Sequence, residues 1–382
     1  MKEGTNVKFV DLAAPTAQIR KAYLAEVDKL LLRGNFVLTR EVEDFEKAWA
    51  RVVGTRYAVG VSNGSDALYL GLRALGVGDG DEVITQGNAY NASVTAIMRA
   101  GAVPRFADIK RDTWQMDVHA AEKLITKKTK AIMPVHLFGQ PNDMAALMAL
   151  AKRHKLRVIE DCAQSHLGAF KGKMTGAWGD IGAFSFYPTK NLGAFGDAGA
   201  VTTNDLALYR TLKILRNLGQ DGKDNHVEYA FNMRLDAMQA IALRLKLKFL
   251  HGATKKRSRA GARYDRMIRE ARIPVAPAAR DPRADHVYHL YPVYSPEKSR
   301  DRIRSELLEQ GIPTGVYYPL PVYRQPFFRG RHDPCPITDE IVSGIFALPM
   351  YADITVQDQR RIVAALENIF LCGKLSLPQI VI

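Results

Sequence analysis

At 382 residues the chain is longer than one hydrophobic core supports, since cores stop growing at about 250–300 residues. A large domain with a smaller companion is therefore expected. Hydrophobic residues at 47% and charged residues at 25% are ordinary for a globular enzyme and exclude a disordered or fibrous chain. The formal charge of +14 is compatible with nucleic-acid binding. The basic residues are scattered, however, with only short clusters such as Lys127-Lys128 and Lys255-Lys256-Arg257, and no nucleic-acid motif accompanies them. A solvated basic surface that attracts anionic small molecules is the better reading. No apolar run approaches the ~20 residues of a membrane span. Met1 to Asn6 carry no apolar segment of the signal-peptide kind, so a cytoplasmic protein is expected. Cys162, Cys335 and Cys372 lack the spacing of a disulfide framework or a zinc site, and no metal is expected.

In chain order, helical spacing covers 15–33 (Ile19, Ala22, Tyr23, Val27, Leu30, Leu31) and 40–53 (Val42, Phe45, Trp49, Val52). Short apolar strands then alternate with helices. Strands are predicted at 57–61, 82–85, 130–135, 157–160, 181–186 and 199–203, and helices at 67–75, 92–99, 144–154 and 205–217. Such alternation implies an α/β fold, a mostly parallel sheet between helices. Sheets of this kind bind ligands beyond the carboxyl ends of their strands. A long helix over 235–264 leads away from the sheet. A Pro-rich stretch at 274–282, a strand at 286–294 and helices at 299–310 and 355–370 follow. The boundaries read as a large domain over 1–250 and a small C-terminal α+β domain over 251–382.

Three glycine-containing segments compete for the chemistry. Gly76-Val77-Gly78-Asp79-Gly80 precedes a strand, whereas a dinucleotide-binding loop must follow one, so it is read as a turn. Gly60-Val61-Ser62-Asn63-Gly64 matches the nucleophile-elbow pattern between a strand and a helix, which makes a hydrolase using Ser62 an alternative of another class. Only one predicted strand precedes it, and no downstream Asp…His pair lies in suitable context. Gly64, Ser65 and Asp66 also open a helix, where free N–H groups and the helix dipole can hold a phosphate; a plain capping turn is the other reading.

The third segment runs from Asp180 to Gly193. A strand ending near Ser185 leads into a Pro-containing turn that presents Lys190 in an apolar, glycine-rich setting. A lysine that forms a Schiff base must be held rigidly and partly desolvated, so that its amine is neutral. Upstream, Asp161 stands at a strand's carboxyl end with Gln164 three residues on. Pyridoxal phosphate (PLP) needs such a carboxylate against its pyridine nitrogen, although a helix cap would also account for Asp161. Tyr90 could stack on a cofactor ring or belong to the core.

The chain resembles the DegT/DnrJ/StrS family of PLP-dependent sugar aminotransferases over nearly its whole length. The resemblance rests on Asn63 to Leu68, Gly80 to Thr85, Pro134 to Pro141, Ile159 to His166, Phe184 to Gly193, Asn232 to Asp236 and Val316 to Pro319. It implies PLP fold type I, the aspartate-aminotransferase architecture, as a homodimer with shared active sites. By that resemblance Lys190 is the Schiff-base lysine, Asp161 pairs with the pyridine nitrogen, Gln164 approaches the ring hydroxyl and Tyr90 stacks. Gly64, Ser65, Asp66 and Ser185 hold the phosphate, with Asn232 supplied by the neighbouring subunit. Family members that dehydrate their substrate carry histidine in place of this lysine, so Lys190 points to transamination.

Glutamate as amino donor and a nucleotide-linked keto sugar as acceptor follow from the same resemblance. The commoner family pattern has a histidine two residues before a phenylalanine where this chain has Asn88 and Tyr90. That difference leans toward amination at C3 of a dTDP-3-keto-6-deoxyhexose. A C4 aminotransferase and a UDP-3-keto-N-acetylglucosamine aminotransferase stay open. Asn88, His226, Tyr317 and Tyr318 are the candidate sugar contacts.

Overall fold

The computed structural model describes residues 7–296 and 300–372. Two helices come first, α1 (Ala13–Arg33) and α2 (Arg40–Val53), each ended by a glycine, Gly34 at φ 67° and Gly54 at φ 81°. These left-handed positions suit glycine at a helix end. On α2, Val42, Phe45, Trp49 and Val53 are buried on one stripe, as the helical spacing requires. The core of the large unit is then laid down by β1 (Tyr57–Val61), α3 (Gly64–Ala74), β2 (Glu82–Gln86), α4 (Asn91–Arg99), β3 (Val103–Ala107), α5 (Val118–Lys123), β4 (Thr129–Ile132), α6 (Met144–His154) and β5 (Arg157–Asp161). A small hairpin, β6 (Ala169–Phe170) and β7 (Lys173–Met174), precedes β8 (Ile181–Ser185), β9 (Gly199–Thr203) and α7 (Leu206–Leu215).

Seven of these strands form one sheet in the order β1-β9-β8-β5-β4-β2-β3. β2, β3, β4, β5 and β8 pair in parallel, and β9 runs antiparallel to both of its neighbours. The predicted mostly parallel α/β sheet is what forms. The turn read at Gly76–Gly80 is confirmed by positive φ at Gly76 (72°) and Gly80 (83°).

The remaining elements are α8 (Ala237–Glu270), β10 (Ala276–Pro277), β11 (Ala284–Asp285), β12 (Tyr291–Tyr294), α9 (Arg300–Glu309), α10 (Pro336–Gly344), β13 (Ile345–Leu348) and α11 (Val356–Cys372). α8 joins two cores. Ala240, Leu243 and Leu250 pack with α2 and β8, whereas Ala260, Tyr264 and Ile268 pack with β12, β13, α9 and α11. Among the described residues no helix is long and apolar enough to cross a membrane.

Several boundaries differ from the sequence prediction. α3 starts at Gly64 rather than at 67, because Asn63 caps it by accepting the Asp66 N–H at 2.8 Å. β3 and α5 escape the hydropathy pattern. β3 carries Pro104, tolerated because the strand lies at the sheet edge. The strand predicted over 286–294 is regular only from Tyr291; residues 286–290 instead cross behind the turn that carries Lys190.

Candidate active site

Gly64, Tyr90, Asp161 and Lys190 lie beyond the carboxyl ends of β1, β2, β5 and β8 respectively, where a sheet of this kind binds ligands. Asp161 is the last residue of β5 and only 4% exposed. Its Oδ2 accepts from Ser93 Oγ at 2.8 Å and its Oδ1 from the Ala163 N–H at 3.1 Å. Burial pushes its carboxyl pKa up, and these two donors together with the Lys190 charge oppose the rise. Gln164 is equally enclosed. Its Oε1 accepts from the Phe138 N–H at 2.6 Å and its Nε2 donates to the Tyr318 hydroxyl at 3.1 Å. Tyr90 caps α4 with its ring half exposed, 5.1 Å from the Tyr318 ring centroid.

Lys190 sits in a turn whose backbone is tightly closed. The Lys190 N–H donates to Tyr187 O and the Ala194 N–H to Phe186 O, both at 2.8 Å. A Cβ at Gly193 would lie 2.2 Å from Pro188 O, so only glycine closes this turn. The turn is clamped from behind. Asn191 Nδ2 donates to Val287 O at 3.2 Å, Lys246 Nζ on α8 donates to Gly193 O at 2.8 Å, and the Phe195 N–H donates to Gln239 Oε1 at 2.8 Å. Desolvation pushes the Lys190 amine down to about 8, with Asp161 acting against that shift. Two buried histidines beside it, His166 and His289, are held neutral by burial and by the Lys190 charge. A lysine amine near neutrality that feels the charge of a buried carboxylate is what a carbonyl-capturing site requires.

The start of α3 comes unusually close to the end of β8. A Cβ on Gly64 would stand 2.5 Å from Ser185 Cβ and 3.1 Å from Ser185 Oγ, so only the absence of a side chain lets α3 start beside the Ser185 hydroxyl. First-turn amides have no intrahelical acceptor, so a helix start beside a hydroxyl is a cradle chemically suited to a phosphate monoester. Asp66 behaves differently from the expectation. Its N–H is taken by Asn63, and its carboxylate accepts from Ser62, from Asn63 Nδ2 at 2.9 Å and from Arg99 Nη1 at 2.7 Å. Asp66 therefore braces the cradle and offers it no free donor. The same contacts bear on the hydrolase alternative, since the Ser62 hydroxyl donates to the Asp66 carboxylate and, among the described residues, no histidine is bonded to it.

Asn88 also departs from its expected place facing the sugar. It is buried, its Oδ1 accepting from Gln86 Nε2 at 2.8 Å and its Nδ2 donating to Trp114 O at 3.0 Å. It fixes the turn that presents Tyr90. Tyr318 meets Gln164 and Tyr90, and Tyr317 stacks on Phe9 with ring centroids 6.2 Å apart. His226 and Asn232 lie on the exposed connection between α7 and α8, and their pairings, with Leu218 O at 2.9 Å and with Asn217, stay within it. The residues that sequence reasoning did not single out are Ser93, Asn191, Gln239 and Lys246. Ser93 carried a readable signal, falling one helical turn after Tyr90 on the predicted helix; the other three become visible only once the chain is folded.

A buried group of His136, Glu160 and Cys162 has ligand atoms close enough for a metal. The lone pairs of the histidine and the carboxylate are already engaged. His136 Nδ1 accepts the Asn142 N–H at 3.1 Å, and the Glu160 carboxylate accepts from Gly176, Trp178 and Gly179 N–H groups and faces His136 Nε2. The group is a buried structural network.

A desolvated lysine, a buried carboxylate and a helix start beside a serine hydroxyl, all at the strand ends of such a sheet, point to a class, and comparison shows it. The chain is a PLP-dependent aminotransferase belonging to the DegT/DnrJ/EryC1/StrS aminotransferase family, whose sequence model matches residues 17–367. It is 39% identical over 370 residues to the dTDP-3-amino-3,4,6-trideoxy-alpha-D-glucose transaminase of Streptomyces venezuelae, covering 96% of this chain and 97% of that protein. It is 37% identical over 371 residues to the UDP-N-acetyl-3-dehydro-alpha-D-glucosamine 3-aminotransferase of Acidithiobacillus ferrooxidans, covering 96% and 99%. The crystal structure of S. venezuelae DesV with a ketimine intermediate superposes with a TM-score of 0.93 at 37% identity, covering 98% of this chain and all of that one. PLP fold type I is thus the architecture of this chain.

Proposed function

We propose that the chain transfers the amino group of glutamate to C3 of a nucleotide-linked 3-keto sugar, with Lys190 as the residue that attaches the cofactor covalently. The observation that carries this reading is the Lys190 amine, pushed down to about 8 and electrostatically coupled to the buried Asp161. When bound, PLP supplies an electron sink for breaking the bond from the donor's α-carbon to hydrogen. Asp161 holds the pyridine nitrogen, Gln164 the ring hydroxyl and Tyr90 the ring face. Gly64, Ser65 and Ser185 take the phosphate, with Asp66 as their brace. Lys190 Nζ, freed when the donor binds, moves a proton at the donor's α-carbon and later at the sugar carbon. Placing glutamate first and the sugar second gives a ping-pong reaction.

Amination at C3 is supported by the two relatives' names, which both place the amine at position 3. A dTDP-linked 6-deoxyhexose is the favoured acceptor, and a UDP-linked N-acetylglucosamine derivative is the second reading, supported by the Acidithiobacillus protein. A homodimer, in which Asn232 reaches the neighbouring cradle, accounts for the exposed apolar residues Val227 (52%), Tyr229 (74%) and Phe231 (38%) around it. The two packing cores along α8 support a division near residue 250, and a biosynthetic enzyme of this class belongs in the cytoplasm. The direct test is colour. Purified protein should be yellow and lose visible absorbance with glutamate, and Lys190→Ala should be colourless. A normal, glutamate-responsive spectrum from Lys190→Ala would sink the assignment.

A further inference from the structure

We infer that Ser93 is a positioning residue for Asp161, fixing the carboxylate that meets the cofactor's pyridine nitrogen; the inference rests on the cofactor reading above. Ser93 is fully buried in the first turn of α4, and its Oγ donates to Asp161 Oδ2 at 2.8 Å across 68 residues of sequence. A serine or threonine in a helix ordinarily bonds back to its own helix. Thr95, two residues on, does so, donating to Asn91 O at 3.0 Å. Ser93 gives up that local bond for the carboxylate.

The two oxygens of Asp161 are thereby held separately, Oδ1 by the Ala163 N–H and Oδ2 by Ser93. An ionised carboxylate oxygen has about two lone-pair directions, so each keeps one for a further donor, now fixed in orientation. Ser93 also ties the carboxylate to the ring-stacking residue, because its N–H donates to Tyr90 O at 3.1 Å. One helical turn therefore sets both the ring face and the ring nitrogen. The titratable groups that act on Asp161 are Lys190 from the turn after β8, His136 from the segment that follows β4, the adjoining Cys162, and Tyr318 from the C-terminal segment. Glu160, its neighbour in sequence, is turned toward His136 and the 176–179 loop. Ser93 is the side-chain hydroxyl that favours the ionised form of Asp161 against its burial.

The test compares PLP binding to the apo-protein by equilibrium dialysis, across pH, for wild type, Ser93→Thr, Ser93→Ala and the near-isosteric Ser93→Cys. Wild type and Ser93→Thr should bind alike. The Ala and Cys variants should bind roughly tenfold or more weakly, the scale of a lost hydrogen bond to a charged group. Both should lose PLP at a higher pH than wild type as the solution is acidified, because Asp161 protonates earlier. Circular dichroism identifies which variants are folded. A folded Ala or Cys variant with wild-type affinity and pH profile overturns the inference, as does a folded Thr variant as weak as Ala. Wild type that binds no PLP overturns the cofactor reading itself, an outcome distinct from equal binding by all four proteins.

Discussion

Gly64→Ala puts the geometry of the phosphate cradle under direct strain. The new Cβ would lie 2.5 Å from Ser185 Cβ, 3.1 Å from Ser185 Oγ and 3.2 Å from Ser185 Cα. Carbon atoms in good contact stand about 3.5–4.0 Å apart, so α3 or the end of β8 must move by about 1 Å. Neither neighbour yields easily, because the closest atoms belong to a short side chain and to backbone. Overpacking of this kind costs about 1–3 kcal/mol. The movement also separates the Gly64 and Ser65 amides from Ser185. PLP affinity, measured by dialysis, should therefore fall about tenfold or more, and the melting temperature of the apo-protein should fall by about 2 °C or more. Gly78→Ala is the control, since nothing lies within 4 Å of a Cβ there and both quantities should stay put. Gly64→Ala with PLP affinity and melting temperature indistinguishable from the control would refute the close-approach argument.

Two further predictions concern charge. Lys190 captures PLP through its neutral amine, and its pKa is pushed down to about 8, so the rate of PLP loading should rise through pH 8 and fall below it. Asp161 acts against that shift, so Asp161→Asn should move the loading midpoint to lower pH; a midpoint that moves up contradicts the coupling. In the core, Arg216 pairs with Glu46, both nearly inaccessible, and Glu46 Oε1 also accepts the Gly60 N–H at 2.7 Å. Glu46→Ala leaves a buried, uncompensated guanidinium and should lower stability to urea by about 3–5 kcal/mol. A loss below about 1 kcal/mol would show that the pair is not the anchor of β1 on α2.

The parts legible in the sequence were those fixed by local chemistry. Helix α2 shows its buried stripe in its spacing, and the Lys190 turn announces itself through Pro188, Gly193 and the strand before it. Asp161 and Gln164 followed from their place at a strand's end, and both proved enclosed and held by specific partners. What stayed hidden depends on contacts distant in sequence. Strand β3 pairs by its edge position despite Pro104, and the stretch 286–290 is shaped by the turn it supports rather than by its own alternation. Asn88 looked like a substrate contact because it stands where the commoner family pattern has a histidine, yet only the fold reveals Trp114 O, 26 residues on, as its acceptor. Asp66 looked like a phosphate ligand until Arg99 and Asn63 were seen to occupy it.

The central claim is tested most directly by isotope transfer. Purified protein is incubated with 15N-glutamate and a panel of dTDP- and UDP-linked sugars carrying a ketone at C3 or at C4, and the products are read by mass spectrometry and NMR. The account predicts a 15N-labelled amino group at C3 of one 3-keto acceptor, with no product from Lys190→Ala. Labelling at C4 alone, no amino sugar from any acceptor, or equal product from Lys190→Ala would contradict it.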